Sequence, residues 1–256
     1  MAAYYNEHDH FAANWLRGLI QKGLIADGEV DERSIVDVKA EDLKGFTQCH
    51  FFAGIGGWSY AARLARWADS RPMWTGSPPC QPFSTAGQQK GEEDERHLWP
   101  VWFDLIRQLR PTIIFGEQVS AAVNQGWLDQ VQSDLESSNY AAGAIIRPAS
   151  AFGAFHKRSR LWFVANSISE RLQGDKWFLQ DNRKVETGEE STHGTSPQPS
   201  NDVEYVQHFD GKRYPIPVEP EIQPLADGLP QGVDILRCAG NAIVPQVAAQ
   251  IIKVMR

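Results

Sequence analysis

Residues 75–87 read TGSPPCQPFSTAG and place Cys80 inside a proline-, serine- and glycine-rich stretch. Consecutive prolines fix φ and remove backbone donors, so this loop is stiff. A stiff loop presenting a thiol suits a nucleophile, whose position must be set before a substrate arrives. The other reading of Cys80 is a buried thiol acting as a small hydrophobe. Polar and turn-forming residues flank it on both sides and weigh against that. Glu117 follows the apolar run TIIF, so it is an acid at the carboxyl end of a strand. Such an acid is a helix N-cap partner or a functional carboxylate. Residues 147–160 carry Arg147, Lys157, Arg158 and Arg160 and no acid. That run could help ionise a thiol, or it is a solvated basic connector. FFAGIGG at 51–57 is a strand ending in a glycine turn before a helix. This arrangement lets backbone N–H groups and a helix N-terminus approach a ligand closely; it also occurs as an ordinary tight turn.

These groups need elements to position them. Strands are expected at 46–53, 73–76, 112–115, 140–147 and 161–165, and helices at 58–67, 98–109 and 127–135. Before them come a β-prone run at 2–5 and a helix at 10–22 with Asp9 as its N-cap. A turn-rich acidic connector at 24–33, a brief strand at 34–38 and a turn of helix at 41–43 follow. Strands alternating with helices predict a parallel α/β sheet with helices on both faces. Ligands sit at the carboxyl edge of such sheets, where Cys80, Glu117 and the glycine turn all fall. The texture changes at 166–235, which is poor in periodic apolar residues, and 186–201 approaches low complexity. Trp177, Phe178, Tyr205, Tyr214 and Pro215 could make a small separate core there. A helix with proline in its first turn is expected at 245–254.

The 256 residues, 42% of them hydrophobic, suffice for one sizeable domain with a smaller lobe. A net charge of −7 confines any nucleic-acid contact to a local basic face. Cys49, Cys80 and Cys238 are odd in number and widely spaced, which fits a reducing cytoplasm rather than a disulfide framework or a metal site. Neither a signal peptide nor a membrane span is expected.

Five stretches in order resemble the DNA (cytosine-5) methyltransferases. FFAGIGG is similar to motif I, PPCQPFS to motif IV, FGEQV to motif VI, HKRSR at 156–160 to motif VIII and GNAIVP at 240–245 to motif X. In that family's usual order, motifs II and III separate motif I from motif IV. Here Gly57 and Cys80 are only 23 residues apart. The N-terminus carries a surplus instead: YNEHDHFAANWL at 5–16 resembles motif II and ERSIVDVKAEDL at 32–43 resembles motif III. The expected order is therefore circularly permuted: II, III, I, IV, VI, VIII, X. The alternative is a true deletion, with residues 1–47 capping the sheet edge and Glu7 on the surface. A link from 52 to 73 that keeps the motif I helix in its usual place runs the wrong way round for a right-handed crossover. Either that helix changes face or the 66–73 connector takes an unusual path.

The resemblance implies a Rossmann-like S-adenosylmethionine-dependent methyltransferase sheet with a small irregular target-recognition lobe. It implies a catalytic domain at 1–165, target recognition at 166–235 and a returning motif X segment at 236–256. Cys80 would add to carbon 6 of a flipped cytosine, Glu117 would hydrogen-bond the ring N3, Arg160 would hold the base's carbonyl, and Arg158 the catalytic loop or a phosphate. S-adenosylmethionine would meet Glu7, His8, Ser34, Ile35, Phe52, Ala53, Gly54, Gly56, Gly57, Trp58, Pro78, Asn241 and Ala242. Ser34, Gln118 and His156 depart from the family's usual Asp, Asn and Gln. Lys176, Arg183, Lys184, Lys212 and Arg213 are the lobe's candidates for contacting DNA. The implied partner is double-stranded DNA, bound by a cytoplasmic monomer with no membrane contact, of phage or prophage type. A tRNA cytosine-5 methyltransferase and a non-catalytic DNA-binding paralogue are the rival readings.

Overall fold

The computed structural model describes residues 2–79, 98–154, 156–167, 203–207, 213–217, 238 and 240–255. Cys80, the 84–96 stretch and Lys176, Trp177, Phe178, Arg183, Lys184 and Lys212 lie outside them. Seven strands form one sheet: β1 (Ala3–Asn6), β2 (Gly28–Asp31), β3 (Gln48–Phe51), β4 (Met73–Gly76), β5 (Ile113–Val119), β6 (Tyr140–Pro148) and β7 (Ser159–Ser167). Their spatial order is β2-β1-β3-β4-β5-β7-β6. The first five are parallel to one another, and β7 pairs antiparallel with both β5 and β6. The sheet is thus mixed rather than wholly parallel. An antiparallel pair, β8 (Val203–Gln207) and β9 (Arg213–Pro217), forms a second sheet.

Helices cover both faces. On one lie α1 (His10–Gln21), α2 (Gly57–Leu64) and α5 (Pro245–Val254); on the other lie α3 (Trp99–Leu109) and α4 (Trp127–Ser137). Alternation along the strands explains the division. Tyr5, His50, Met73, Phe115 and Trp162 face α1, α2 and α5, whereas Tyr4, Phe51, Trp74, Ile114 and Phe163 face α3 and α4. Residues 34–38 form no strand. Ile35–Asp37 is a 3-10 turn, and the strand lies upstream at Gly28–Asp31, inside the stretch expected to be a connector. Asp31 explains the difference: its carboxylate takes the Tyr4 hydroxyl at 2.7 Å and the Arg33 guanidinium, ties that a polar tetrapeptide does not advertise.

The connection β3–α2–β4 has an unusual hand. β1 to β2 steps one way across the sheet and β3 to β4 steps the other, yet α1 and α2 share a face. β4 to β5 steps the same way as β3 to β4, but α3 lies on the opposite face. The connections through α1 and α3 therefore share one hand and the one through α2 has the other. With the first two right-handed, as nearly all such crossovers are, β3–α2–β4 is left-handed. The helix keeps its face because Trp58, Ala61, Ala62 and Ala65 pack with Val247, Ala248 and Ile252 of α5.

Gly116 of β5 is set by a close approach, since a Cβ there would overlap the Phe163 ring. Gly116→Ala is expected to lower stability by roughly 2 kcal/mol or more, as overpacking in a rigid core does. Urea unfolding followed by tryptophan fluorescence measures this, and a midpoint equal to wild type would refute it.

Candidate active site

The carboxyl ends of β1, β3, β4 and β5 open on one edge. Residues at and just beyond those ends, together with the start of β7 and the segment before α5, line a cavity of about 380 Å³. Its wall includes Glu7, Phe52, Gly54, Ser77, Glu117, Arg158, Arg160 and Asn241. A second cavity of about 540 Å³ lies beyond Glu7, Phe52 and Pro79, which line both, and adds His8, Ser34, Ile35 and Leu98.

Glu7 is held at the join. Its Oε1 accepts the Asp9 backbone N–H at 2.8 Å and its Oε2 the Gly54 N–H at 2.7 Å. Burial pushes this carboxyl up, and the two backbone donors oppose the shift. The bond to Gly54 links the end of β1 to the glycine turn after β3, which adopts φ 54° at Gly54 and 84° at Gly56. Phe52 is also left-handed, at φ 51°, a conformation costly for a bulky residue. Its ring meets Trp102 edge-on at 6.5 Å and closes one wall.

Glu117 lies inside β5 because that strand runs on past the end of β4, paired only with β7. It is 8% exposed. The alternation that puts Phe115 on the α2 face puts Glu117 there too, and Arg160, paired with Val119, reaches Glu117 diagonally. Arg160 Nε stands 3.0 Å from Glu117 Oε1. Burial pushes the Glu117 carboxyl up to about 7, and Arg160, Arg158 and Ser77 restrain the shift. A carboxyl balanced near neutrality can hold a proton or give it up. Arg158, at φ 33°, donates from Nη2 to the Ala242 carbonyl at 2.7 Å and so joins the β7 turn to the segment before α5. Gln118 Nε2 donates to the Pro78 carbonyl at 3.2 Å, tying β5 to the loop that continues to Cys80.

The two cavities bring together Glu117, Arg158, Arg160 and every proposed cofactor contact except Gly56. Gly56 lines neither; a Cβ there would meet Leu16 and Leu19 of α1, so its part is to turn the chain into α2. Glu7 does not lie on the open surface, which the capping alternative requires. Cys49 faces the α3 side of β3, where burial pushes its thiol up to about 12. Reading the sequence missed Ser77, Pro79 and Leu98. Ser77 and Pro79 belong to the stiff loop already singled out, whereas Leu98 carried no local signal.

The family model for C-5 cytosine-specific DNA methylase matches residues 70–212, more than half of the chain. The chain belongs to the C-5 cytosine-specific DNA methylases. Among curated relatives, the type II methyltransferase M.AplI of Arthrospira platensis is 38% identical over 92 residues, 35% of this chain and 27% of that protein. M.HhaI of Haemophilus parahaemolyticus is 32% identical over 92 residues, 34% of this chain and 28% of that protein. The chain thus spans under a third of the length of these methylases. Among solved structures, a Spodoptera frugiperda DNMT2 variant is similar with TM-score 0.46 and 16% identity, covering 66% of this chain and 44% of that one. The Entamoeba histolytica methyltransferase EhMeth gives TM-score 0.45 and 16% identity, covering 64% of this chain and 44% of that one.

The raised Glu117 value makes the methylase fold sensitive to pH. Below about 4.5 the group is protonated in folded and unfolded chains alike. As pH rises, the unfolded chain releases its proton first, so stability falls until the folded group also ionises near 7. Glu117→Gln removes this contribution. Between about pH 5 and pH 8, wild type should lose roughly 2–3 kcal/mol more stability than the variant. Parallel pH slopes in urea unfolding would contradict the assignment.

Proposed function

We propose that this chain transfers a methyl group from S-adenosylmethionine to carbon 5 of cytosine in double-stranded DNA, through a covalent adduct at Cys80. The observation that carries this reading is the convergence of Glu117, Arg158 and Arg160 on one cavity at the sheet edge where the Pro78-Pro79 loop leads to Cys80. Carbon 5 is a poor nucleophile. The Cys80 thiolate adds to carbon 6, the new bond pushing electron density to carbon 5. Glu117 gives its proton to ring N3 and so accommodates the charge. Carbon 5 then forms a bond to the methyl group as that group's bond to the donor sulfur breaks. Loss of the carbon 5 proton to solvent, expulsion of the Cys80 thiolate and return of the N3 proton to Glu117 restore the ring and the enzyme. Arg160 holds the base's carbonyl while keeping Glu117 in place. The base is buried in a duplex and must be flipped out to reach this cavity.

The residues present fit the cofactor. The two joined cavities offer room on either side of Glu7, and each Glu7 oxygen, already accepting one N–H, keeps a lone pair for a ribose hydroxyl. Ser34, Ile35 and His8 line the outer cavity, suited to a purine, and Gly54, Gly57 and Asn241 line the inner one, suited to the amino-acid end. When bound, S-adenosylmethionine supplies a methyl group on a positively charged sulfur. Glu7 and Asp9 line this region with acidic groups that favour such a charge.

The motif order is read as permuted. In support of this, β1 and β2 add two parallel strands beside β3, the number by which the stretch between motif I and motif IV falls short. The family model takes up the chain only at residue 70, beyond the glycine turn, as expected where the preceding segments are reordered. Residues 1–165 and 236–256 are assigned to catalysis and 166–235, with β8 and β9, to target recognition.

Trapping on duplex DNA containing 5-fluorocytosine tests nucleophile and substrate together. Wild type should form an adduct stable to denaturation and Cys80→Ser none; trapping on tRNA but not on DNA would overturn the DNA reading. Glu7→Ala should raise the Kd for S-adenosylmethionine at least tenfold, the order expected for losing hydrogen bonds to a charged group. Calorimetry showing an unchanged Kd would sink the permuted assignment.

A further inference from the structure

Trp58 Nε1 donates to Ser77 Oγ across 3.0 Å. An indole nitrogen only donates, so the Ser77 oxygen is an acceptor in this contact and its own proton must go elsewhere. Gly76 of β4 pairs with Gly116 of β5, so Ser77 and Glu117, the next residue of each, stand side by side, and the Ser77 hydroxyl is among the groups that hold the Glu117 carboxyl down. All three residues line the same cavity. The indole is held firmly: Trp58 is 2% exposed, edge-on to Trp162 at 5.6 Å and tilted against Phe115 at 6.3 Å. A buried ring thus fixes the direction of donation through the serine.

We propose that Ser77 is a positioning residue of the methyl-transfer site: polarised by the Trp58 indole, its hydroxyl donates to the Glu117 carboxyl and, together with Arg160 at Oε1, turns the proton-carrying side of that carboxyl toward the base. This rests on the function proposed above. A donated hydrogen bond favours the ionised carboxyl. Ser77 therefore opposes burial and keeps Glu117 able to release its proton as well as hold it. Arg158 and Arg160 act in the same sense from the β7 side, while Glu7 and Asp9 line the cavity from the β1 side. Ser77 also stands three residues before Cys80, so one hydroxyl connects the acid to the start of the nucleophile's loop.

Titration of the Glu117 side-chain carboxyl by 13C NMR in the full chain, assigned with Glu117→Gln, tests this without methyl donor or nucleic acid. Ser77→Ala should raise the Glu117 midpoint by about one pH unit. Ser77→Thr, which keeps the hydroxyl, should bring it back, and Trp58→Phe should give a smaller rise. On DNA, the alkaline limb of the kcat profile should move with the midpoint in Ser77→Ala. An unmoved midpoint in Ser77→Ala, or no recovery in Ser77→Thr, would overturn the proposal. An unmoved midpoint in Trp58→Phe would overturn the part given to the indole. A midpoint that moves in an enzyme inactive on DNA would uphold the Ser77–Glu117 link and refute the DNA reading instead.

Discussion

The Glu7 carboxylate holds together two pieces of chain that lie 47 residues apart. It satisfies the Gly54 N–H at the mouth of the glycine turn and the Asp9 N–H at the start of α1. Asp9 in turn caps α1 through the Ala12 N–H at 3.0 Å. A glycine turn has few side-chain contacts to fix it, so a backbone bond to a partly buried acid is an effective restraint. Both cavities share Glu7, and their common wall depends on this contact.

The same edge carries a second buried acid with a different environment. Glu7 meets backbone donors, whereas Glu117 meets a guanidinium in a nearly closed setting. An ion pair there has to overcome the loss of water around both partners. Desolvation outweighs the attraction of Arg160, and the acid ends near neutrality rather than firmly ionised. That balance suits a group that must carry a proton at one step and release it at another. The inner cavity thus joins an acid held among fixed dipoles to one whose charge is adjustable.

The left-handed β3–α2–β4 connection follows from this placement. The helix after the glycine turn must begin at the cavity and pack on α5, so it cannot change face. The strand carrying the Ser77 loop must lie between β3 and β5, so it cannot change sides. When both ends of a connection are fixed by the site, the usual right-handed preference yields. Tight packing offsets the unusual hand: Ile243 sits where a Cβ on Gly57 would be, and Ser59 of α2 meets the Tyr5 hydroxyl of β1 at 3.0 Å.

Much of this was legible in the chain. Helices α1, α3, α4 and α5 fall where apolar periodicity and capping residues put them, because those signals are local. The ordered motifs brought Glu7, Glu117, Arg158 and Arg160 into consideration, and the glycine turn was plain from composition. The strand β2 was not legible, since GEVD is held by partners at Tyr4 and Arg33 rather than by its own pattern. Nor was the length of β5, which continues through Glu117 only because β7 runs antiparallel beside it. Trp58, Ser77 and Glu117, separated by 19 and 40 residues, meet at one cavity, and over such distances sequence spacing carries no geometry. Sequence by itself determined which chemical groups are present and which local elements bear them. The tertiary structure alone decided which atoms meet, because strand order, the hand of the crossover and burial around Glu117 arise from contacts between segments far apart in the chain.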